Sequence, residues 1–335
     1  MKLIWGFTAA AAICAGLTLT GFTLHAQQQQ PKIKTPNKST PPPGRPIPDQ
    51  NPPETTIKVD ITRVNILFTV TDKKGRFITD LTQDDFDISE NKKAQNIGQF
   101  TAEADLPLRI AVLVDVSNSI SDRFRFEQQA AIRFMNSVMR PRQDLMMLAA
   151  FDSNVELVTD LTDDLKALET GIRGMRPGGG TSLYDAIYFA AREKLMMDQP
   201  MDKFRRAMVI ISDGLDTASD HTRDQALEMA QKADTVIYAI STNITREDRE
   251  GDKILKYLTE ETGGQAFFPF KAEDLDQSFE NIANVLRHQY NIFYSPNPMV
   301  QDGLYHPVAL KVRTRKDLVV RARKGYYAPR AGSNP

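Results

Sequence analysis

The stretch Ile110-Ala-Val-Leu-Val114, followed by Asp115-Val-Ser117-Asn-Ser119, decides the fold of this chain. A run of apolar residues rich in β-branched side chains is typical of a strand that is buried on both faces. Such strands lie at the centre of parallel sheets whose two faces are covered by helices. The acid and the two alternating hydroxyls that follow place oxygen-bearing side chains at the carboxyl end of this strand.

Further strands alternate with helical patterns on the carboxyl side of this stretch. This alternation predicts right-handed crossovers and a doubly wound, Rossmann-like α/β domain with a parallel sheet over residues 104–288. The six predicted strands cover residues 109–115, 144–151, 155–159, 207–212, 236–240 and 266–268.

The predicted sheet brings two acids together. In a doubly wound sheet ordered 3-2-1-4-5-6, the first and fourth strands are neighbours, and ligands bind outside their carboxyl ends. Asp115 ends the first strand and Asp213 ends the fourth. The glycines at 178–180 allow a close backbone approach and present Thr181 at the same edge. The candidate metal ligands are therefore Asp115, Ser117, Ser119, Thr181 and Asp213.

These side chains offer only oxygen atoms, which favours Mg²⁺, with Mn²⁺ or Ca²⁺ as alternatives, over zinc. Neutral hydroxyls outnumber the carboxylates, so a bound ion would keep an open position for a carboxylate from a partner. Each of these residues, taken by itself, could also have a purely structural role. Ser119, Ser121 or Asp122 could cap the following helix, Thr181 or Ser182 could cap the next, and Asp213-Gly214 could be an ordinary turn. We expect Asp216 to be an acid of a loop.

The same residues resemble the metal-ion-dependent adhesion site (MIDAS) of von Willebrand factor A (VWA) domains. In that family the pattern D-x-S-x-S supplies Asp115, Ser117 and Ser119, a separate loop supplies Thr181, and a D-G turn supplies Asp213. The resemblance implies a metal-dependent, adhesion-type protein-binding module, in which a Glu or Asp of a protein ligand completes the metal shell. The wider layout resembles a bacterial, secreted subfamily of VWA-related proteins.

The segments on either side of the α/β domain read as strands. Alternating apolar residues predict half-buried strands at residues 57–61 and 64–70, and turn signals such as Asp72-Lys-Lys-Gly75 separate the next ones. Residues 56–103 and 289–329 together have about the size of one immunoglobulin-like sandwich. We therefore expect a discontinuous β-sandwich into which the VWA domain is inserted.

The amino terminus predicts export. Residues 1–26 have an early positive charge, an apolar centre and a small residue at Ala26, as in a signal peptide. An uncleaved membrane anchor is the alternative, since the apolar run approaches the roughly 20 residues that span a bilayer. Residues 27–55 are a Pro/Gln-rich, disordered linker, and 330–335 form a tail. This organisation predicts a secreted or periplasmic, cell-envelope protein.

Composition excludes several classes of function. The chain has 42 basic and 43 acidic residues among 335, which points to no nucleic-acid partner. One cysteine and 4 histidines exclude a disulfide framework and disfavour thiolate metal sites. A phosphatase of the haloacid dehalogenase type needs an acid where Ser117 stands, and a P-loop needs a lysine before Thr181. A Ser-His-Asp triad needs a nearby histidine; only His221 lies near the sheet edge, and we expect it to be a solvated residue at a helix start. We expect no enzyme; the alternative to adhesion is an envelope scaffold or assembly factor whose VWA domain is structural.

Overall fold

The computed structural model describes residues 63–102, 106–118, 124–198, 203–243, 249–269 and 272–330. All of them belong to one compact unit that covers residues 59–335. The predicted leader, the linker, the strand at 57–61, Ser119 and residues 331–335 lie outside the described residues. Among the described residues, no helix combines the length and apolarity that a membrane crossing requires.

The described residues form strands at both ends of the chain and alternating strands and helices between them. The strands are β1 (Val64–Thr71), β2 (Phe86–Glu90), β3 (Lys93–Gln95), β4 (Ile97–Thr101), β5 (Leu108–Asp115), β6 (Leu145–Phe151), β7 (Val155–Thr162), β8 (Arg205–Ser212), β9 (Thr235–Ser241), β10 (Ala266–Phe267), β11 (Tyr290–Tyr294), β12 (Tyr305–Val312), β13 (Val319–Ala322) and β14 (Gly325–Tyr327). The α-helices are α1 (Phe124–Val138), α2 (Leu165–Gly174), α3 (Leu183–Phe189), α4 (Arg223–Lys232), α5 (Glu250–Thr262) and α6 (Ala272–Arg287), and α3 continues as a π-helical turn over Ala190–Leu195.

The central sheet has the order β10-β9-β8-β5-β6-β7, which confirms the predicted strand order. β5 pairs in parallel with β6 on one side and with β8 on the other. The prediction of an entirely parallel sheet was wrong for β7, which runs antiparallel to β6. Only residues 152–154 connect these two strands, and a parallel crossover needs a connection of a dozen or more residues.

Helices cover both faces of the central sheet. Every residue of β5 is buried. Ile110, Val112 and Val114 pack in a core with α1, α2 and α6, whereas Ala111 and Leu113 pack in a second core with α3, α4 and α5. The continuous apolar run of the sequence is therefore explained by burial on both faces.

The flanking segments form two further, antiparallel sheets. Their strand orders are β13-β1-β11-β4 and β14-β12-β2-β3, so each sheet combines strands from before and after the α/β domain. Side chains of both sheets share one core, which includes Phe68, Phe86, Ile88, Tyr290 and Ile292. β3 was not predicted; it forms a hairpin with β2 through Asn91 and Lys92, both at positive φ.

β1 lies between the outer core and the α/β domain. The expected half-buried alternation was wrong, since every residue of β1 except Asn65 is buried. Phe68 points into the core of the outer sheets, and Leu67 belongs to the core cluster of α1 and α6. Apolar alternation predicts the two faces of this strand, but the side chains of both faces have a neighbour to pack against.

Candidate metal site

Asp115 is the buried centre of the candidate site. It ends β5, is completely buried, and accepts hydrogen bonds from the Ser117 amide at 2.9 Å and the Ser212 hydroxyl at 2.7 Å. Burial raises the pKa of Asp115, the two serines oppose this shift, and the charge of Asp213 adds to it. Since Ser117 and Ser212 are neutral, a cation would stabilise the ionised form of Asp115.

Asp213 follows β8 in a tight turn. Its Oδ1 accepts the Leu215 amide at 3.0 Å, which fixes the carboxylate on the loop. Gly214 has a φ of 81°, and a Cβ there would lie only 2.2 Å from the backbone oxygen of Gly251. The D-G pair is therefore needed both for the left-handed turn and for the close approach of α5.

Thr181 is held by its backbone between the loops that follow β5 and β8. Its amide donates to the Thr217 hydroxyl at 3.0 Å, and its carbonyl accepts the amides of Thr217 and Ala218. Just before it, the Gly178 amide donates to the carbonyl of Val116, the residue between Asp115 and Ser117, at 2.6 Å. The loop is therefore anchored through the backbone of Thr181 and not through its hydroxyl.

The structure therefore brings four of the five predicted residues to one edge of the sheet. Asp115, Ser117, Thr181 and Asp213 lie on three loops that are tied to one another at the carboxyl ends of β5 and β8. Ser117 and Thr181 are buried, whereas Asp213 is half-buried. Ser119 lies outside the described residues, so its position relative to the others stays a prediction.

The interpretation of Thr181 as a helix cap does not fit the start of α3. Asp216 accepts the Tyr184 amide at 3.2 Å, and the Ser219 hydroxyl accepts the Asp185 amide at 3.1 Å. The N-cap residue Ser182 makes no capping bond with its side chain, and its buried hydroxyl has no partner in the described part of the chain. Sequence reasoning treated Asp216 as a loop acid and missed this capping role.

His221 was expected to be a solvated residue at a helix start, but it is partly enclosed. Its Nδ1 lies 2.7 Å from Asp185 Oδ1, and its ring stacks on Tyr188 with 3.8 Å between the ring centroids. The histidine thus contacts the first turns of α3, with 36% of its side chain exposed.

The residues present fit a small, hard cation. A buried carboxylate, a second carboxylate close enough to raise its pKa, and neighbouring hydroxyls form an oxygen-only donor set. Within the described residues no three His, Cys, Asp or Glu side chains come together as a metal-binding group. A cation at this edge would therefore depend on the hydroxyls as well as on the two acids.

Solved structures that are similar to this chain include BatB from Bacteroides thetaiotaomicron, at 16% identity and a TM-score of 0.43, covering 53% of this chain and 98% of that chain. The von Willebrand factor type A structure from Catenulispora acidiphila has 13% identity and a TM-score of 0.48, and covers 73% of each chain. Proximal thread matrix protein 1 from the mussel byssus, with a zinc-occupied MIDAS motif, has 14% identity and a TM-score of 0.47, covering 59% of this chain and 49% of that chain.

No curated protein sequence matches this chain. The family model of the von Willebrand factor type A domain matches residues 110–215, which begin within β5 and include the D-G turn. The chain therefore contains a von Willebrand factor type A domain.

Proposed function

We propose that this VWA domain binds a protein partner in a metal-dependent manner. The divalent cation would be held by Asp115, Ser117, Ser119, Thr181 and Asp213. The observation that carries this proposal is the buried Asp115 carboxylate, which has a second acid beside it. Among the described residues, its hydrogen-bond partners include no cationic side chain. When bound, the cation supplies positive charge and an open coordination position for an acidic side chain of the partner.

The donor set favours Mg²⁺, with Mn²⁺ and Ca²⁺ as alternatives. Mg²⁺ takes an octahedral set of oxygen ligands, often including waters, and is held by one or two carboxylates. Two carboxylates and three neutral hydroxyls match that preference and leave room for one further oxygen ligand. The role of the protein is to fix these side chains on the three tied loops, so that little rearrangement is needed on binding.

We further propose that the function is binding and not catalysis, and that the protein acts outside the cytoplasm of a bacterium. Residues 1–26 would direct export and 27–55 would tether the folded part. The outer sheets would form an immunoglobulin-like sandwich from residues 56–103 and 289–329, with the VWA domain at 104–288 inserted between them. The shared core of the two outer sheets supports this organisation.

Calorimetric titration of Mg²⁺ into EDTA-treated protein tests the metal site. We expect saturable binding that is lost in Asp213→Ala and kept in Asp220→Asn, which removes a nearby exposed acid outside the proposed ligand set. Equal Mg²⁺ affinity in Asp213→Ala and in the unaltered chain would show that Asp213 is not a ligand.

A pull-down in Mg²⁺ and in EDTA then separates the two functions considered. An adhesion-type module loses its partner in EDTA and in the Asp213→Ala variant. A scaffold or assembly factor that uses the outer sheets keeps its partner under both conditions, since its contacts do not involve the cation.

A further inference from the structure

A second candidate binding site lies between the outer sheets and the α/β domain. A cavity of about 370 Å³ is lined on one side by β1, β13 and the turn after β1, and on the other by β9, β10 and α6. Its volume lies within the range of about 300–1,000 Å³ that small-molecule sites occupy. Cavities at the junction of two structural parts are frequent ligand sites.

The cavity is positively charged. Lys73, Lys74 and Arg321 line it, and among the described residues none of the three has an ion-pair partner. Asp72 is the single acid among the described residues of the lining, and its carboxylate pairs with Arg76 at 2.7 Å. Because the charge of Asp72 is already matched by Arg76, the three cations give the cavity an excess of positive charge.

Polar and aromatic side chains complete the walls. Thr69 and Thr71 are buried on the face of β1 that is turned towards the α/β domain, and both line the cavity. Tyr238 lies on the opposite wall and is buried; its hydroxyl accepts a hydrogen bond from the side chain of Gln289 at 3.0 Å. Phe77 and Phe267 add apolar ring surface.

We propose that this cavity binds a small organic dianion, such as an aromatic phosphate. Arg321 presents a planar guanidinium, which suits two oxygens of one anionic group, and the lysines supply further charge from the turn. The rings would contact the apolar body of the ligand. The described residues of the lining include none of the candidate metal ligands, so binding here does not require the cation proposed above.

Calorimetric titration of the full chain with phenyl phosphate, in EDTA, tests this site separately from the metal site. We expect saturable binding that is tighter than the binding of inorganic phosphate, because only phenyl phosphate can use the aromatic walls. Arg321→Gln should weaken binding about tenfold or more, as expected for loss of a charge-assisted hydrogen bond. Lys93→Gln, on the hairpin of the other outer sheet, should leave the affinity unchanged.

The double variant K73Q/K74Q provides a second test, because both lysines are exposed on a turn and their substitution leaves the core intact. We expect it, too, to weaken phenyl phosphate binding relative to Lys93→Gln. The proposal is overturned if phenyl phosphate does not bind to the unaltered chain, or if it binds equally to the unaltered chain and to both cavity variants. Equal affinity for phenyl phosphate and inorganic phosphate would overturn the assignment of an organic ligand.

Discussion

Replacing Gly251 with alanine should weaken metal binding at the candidate site although it removes no ligand. Gly251 lies in the first turn of α5 and packs directly on the backbone of the D-G turn. A Cβ at this position would lie 2.0 Å from the backbone oxygen of Asp213. An ordinary contact begins at 3.4 Å, so α5 and the turn would have to separate by more than 1 Å.

That displacement is large compared with the tolerance of a metal site, where ligand distances hold to about 0.2 Å. We therefore expect Gly251→Ala to lower Mg²⁺ affinity by at least about tenfold, as for loss of an outer-shell partner. The same clash should cost about 1–3 kcal/mol of unfolding free energy, the usual range for overpacking. The matched control is Gly174→Ala at the end of α2, where a Cβ would meet nothing within 4 Å.

The assay combines calorimetric titration of Mg²⁺ with urea unfolding of both variants and the unaltered chain. The urea data establish that Gly251→Ala is folded under the conditions of the titration. A folded Gly251→Ala protein that binds Mg²⁺ as tightly as Gly174→Ala would refute the argument, because the position of Asp213 would then not limit the affinity.

Three further changes test the packing of buried polar groups. Burial alone would lower the pKa of His306, but hydrogen bonds to Glu90 and Asp302 outweigh it and raise the pKa. The charged form of His306 therefore stabilises the folded state fully below about pH 6.5, and this stabilisation is lost as the pH rises through the folded pKa. His306→Gln should for this reason flatten the fall of Tm between pH 6 and 9. Asp144→Ala should lower the free energy of unfolding in urea by about 3–5 kcal/mol, because this fully buried carboxylate accepts hydrogen bonds from two arginines. A loss below about 1 kcal/mol would contradict this prediction. Ser212→Ala removes the 2.7 Å bond to the buried acid of the site and should cost about 1.5–3 kcal/mol in EDTA, whereas an unchanged unfolding midpoint would exclude this role.

The strand order and the edge that carries the candidate site could be predicted because both follow from local patterns and one topological rule. The apolar run before Asp115 and the one before Asp213 identify central strands, and chain order then makes them neighbours. The antiparallel course of β7 was also present in the sequence, since three residues cannot form a crossover. The short connection between the two strands carried this information, whereas the prediction relied only on the alternation of strands and helices.

The supporting contacts of the site could not be predicted, because they join residues that are far apart in the chain. Ser212 is the last residue of a buried strand, and only the pairing of β5 with β8 brings its hydroxyl to Asp115. Asp216 caps α3 from another loop, a role that a local capping pattern does not contain. For β1, periodicity identifies the two faces but not the neighbour on each face.

The outer sheets attach to the α/β domain at the edge opposite the candidate site. Arg323 pairs with Asp234, directly before β9, at 2.6 Å, and Lys324 pairs with Glu261 near the end of α5 at 3.2 Å. Helices that follow parallel strands return the chain to the amino edge of the sheet, so these contacts lie at that edge. β5 has 8 residues at about 3.3 Å each, which places Asp115 roughly 20–25 Å away. These contacts thus leave the carboxyl edge uncovered, and the proposed partner would approach Asp213 from the side opposite to the outer sheets.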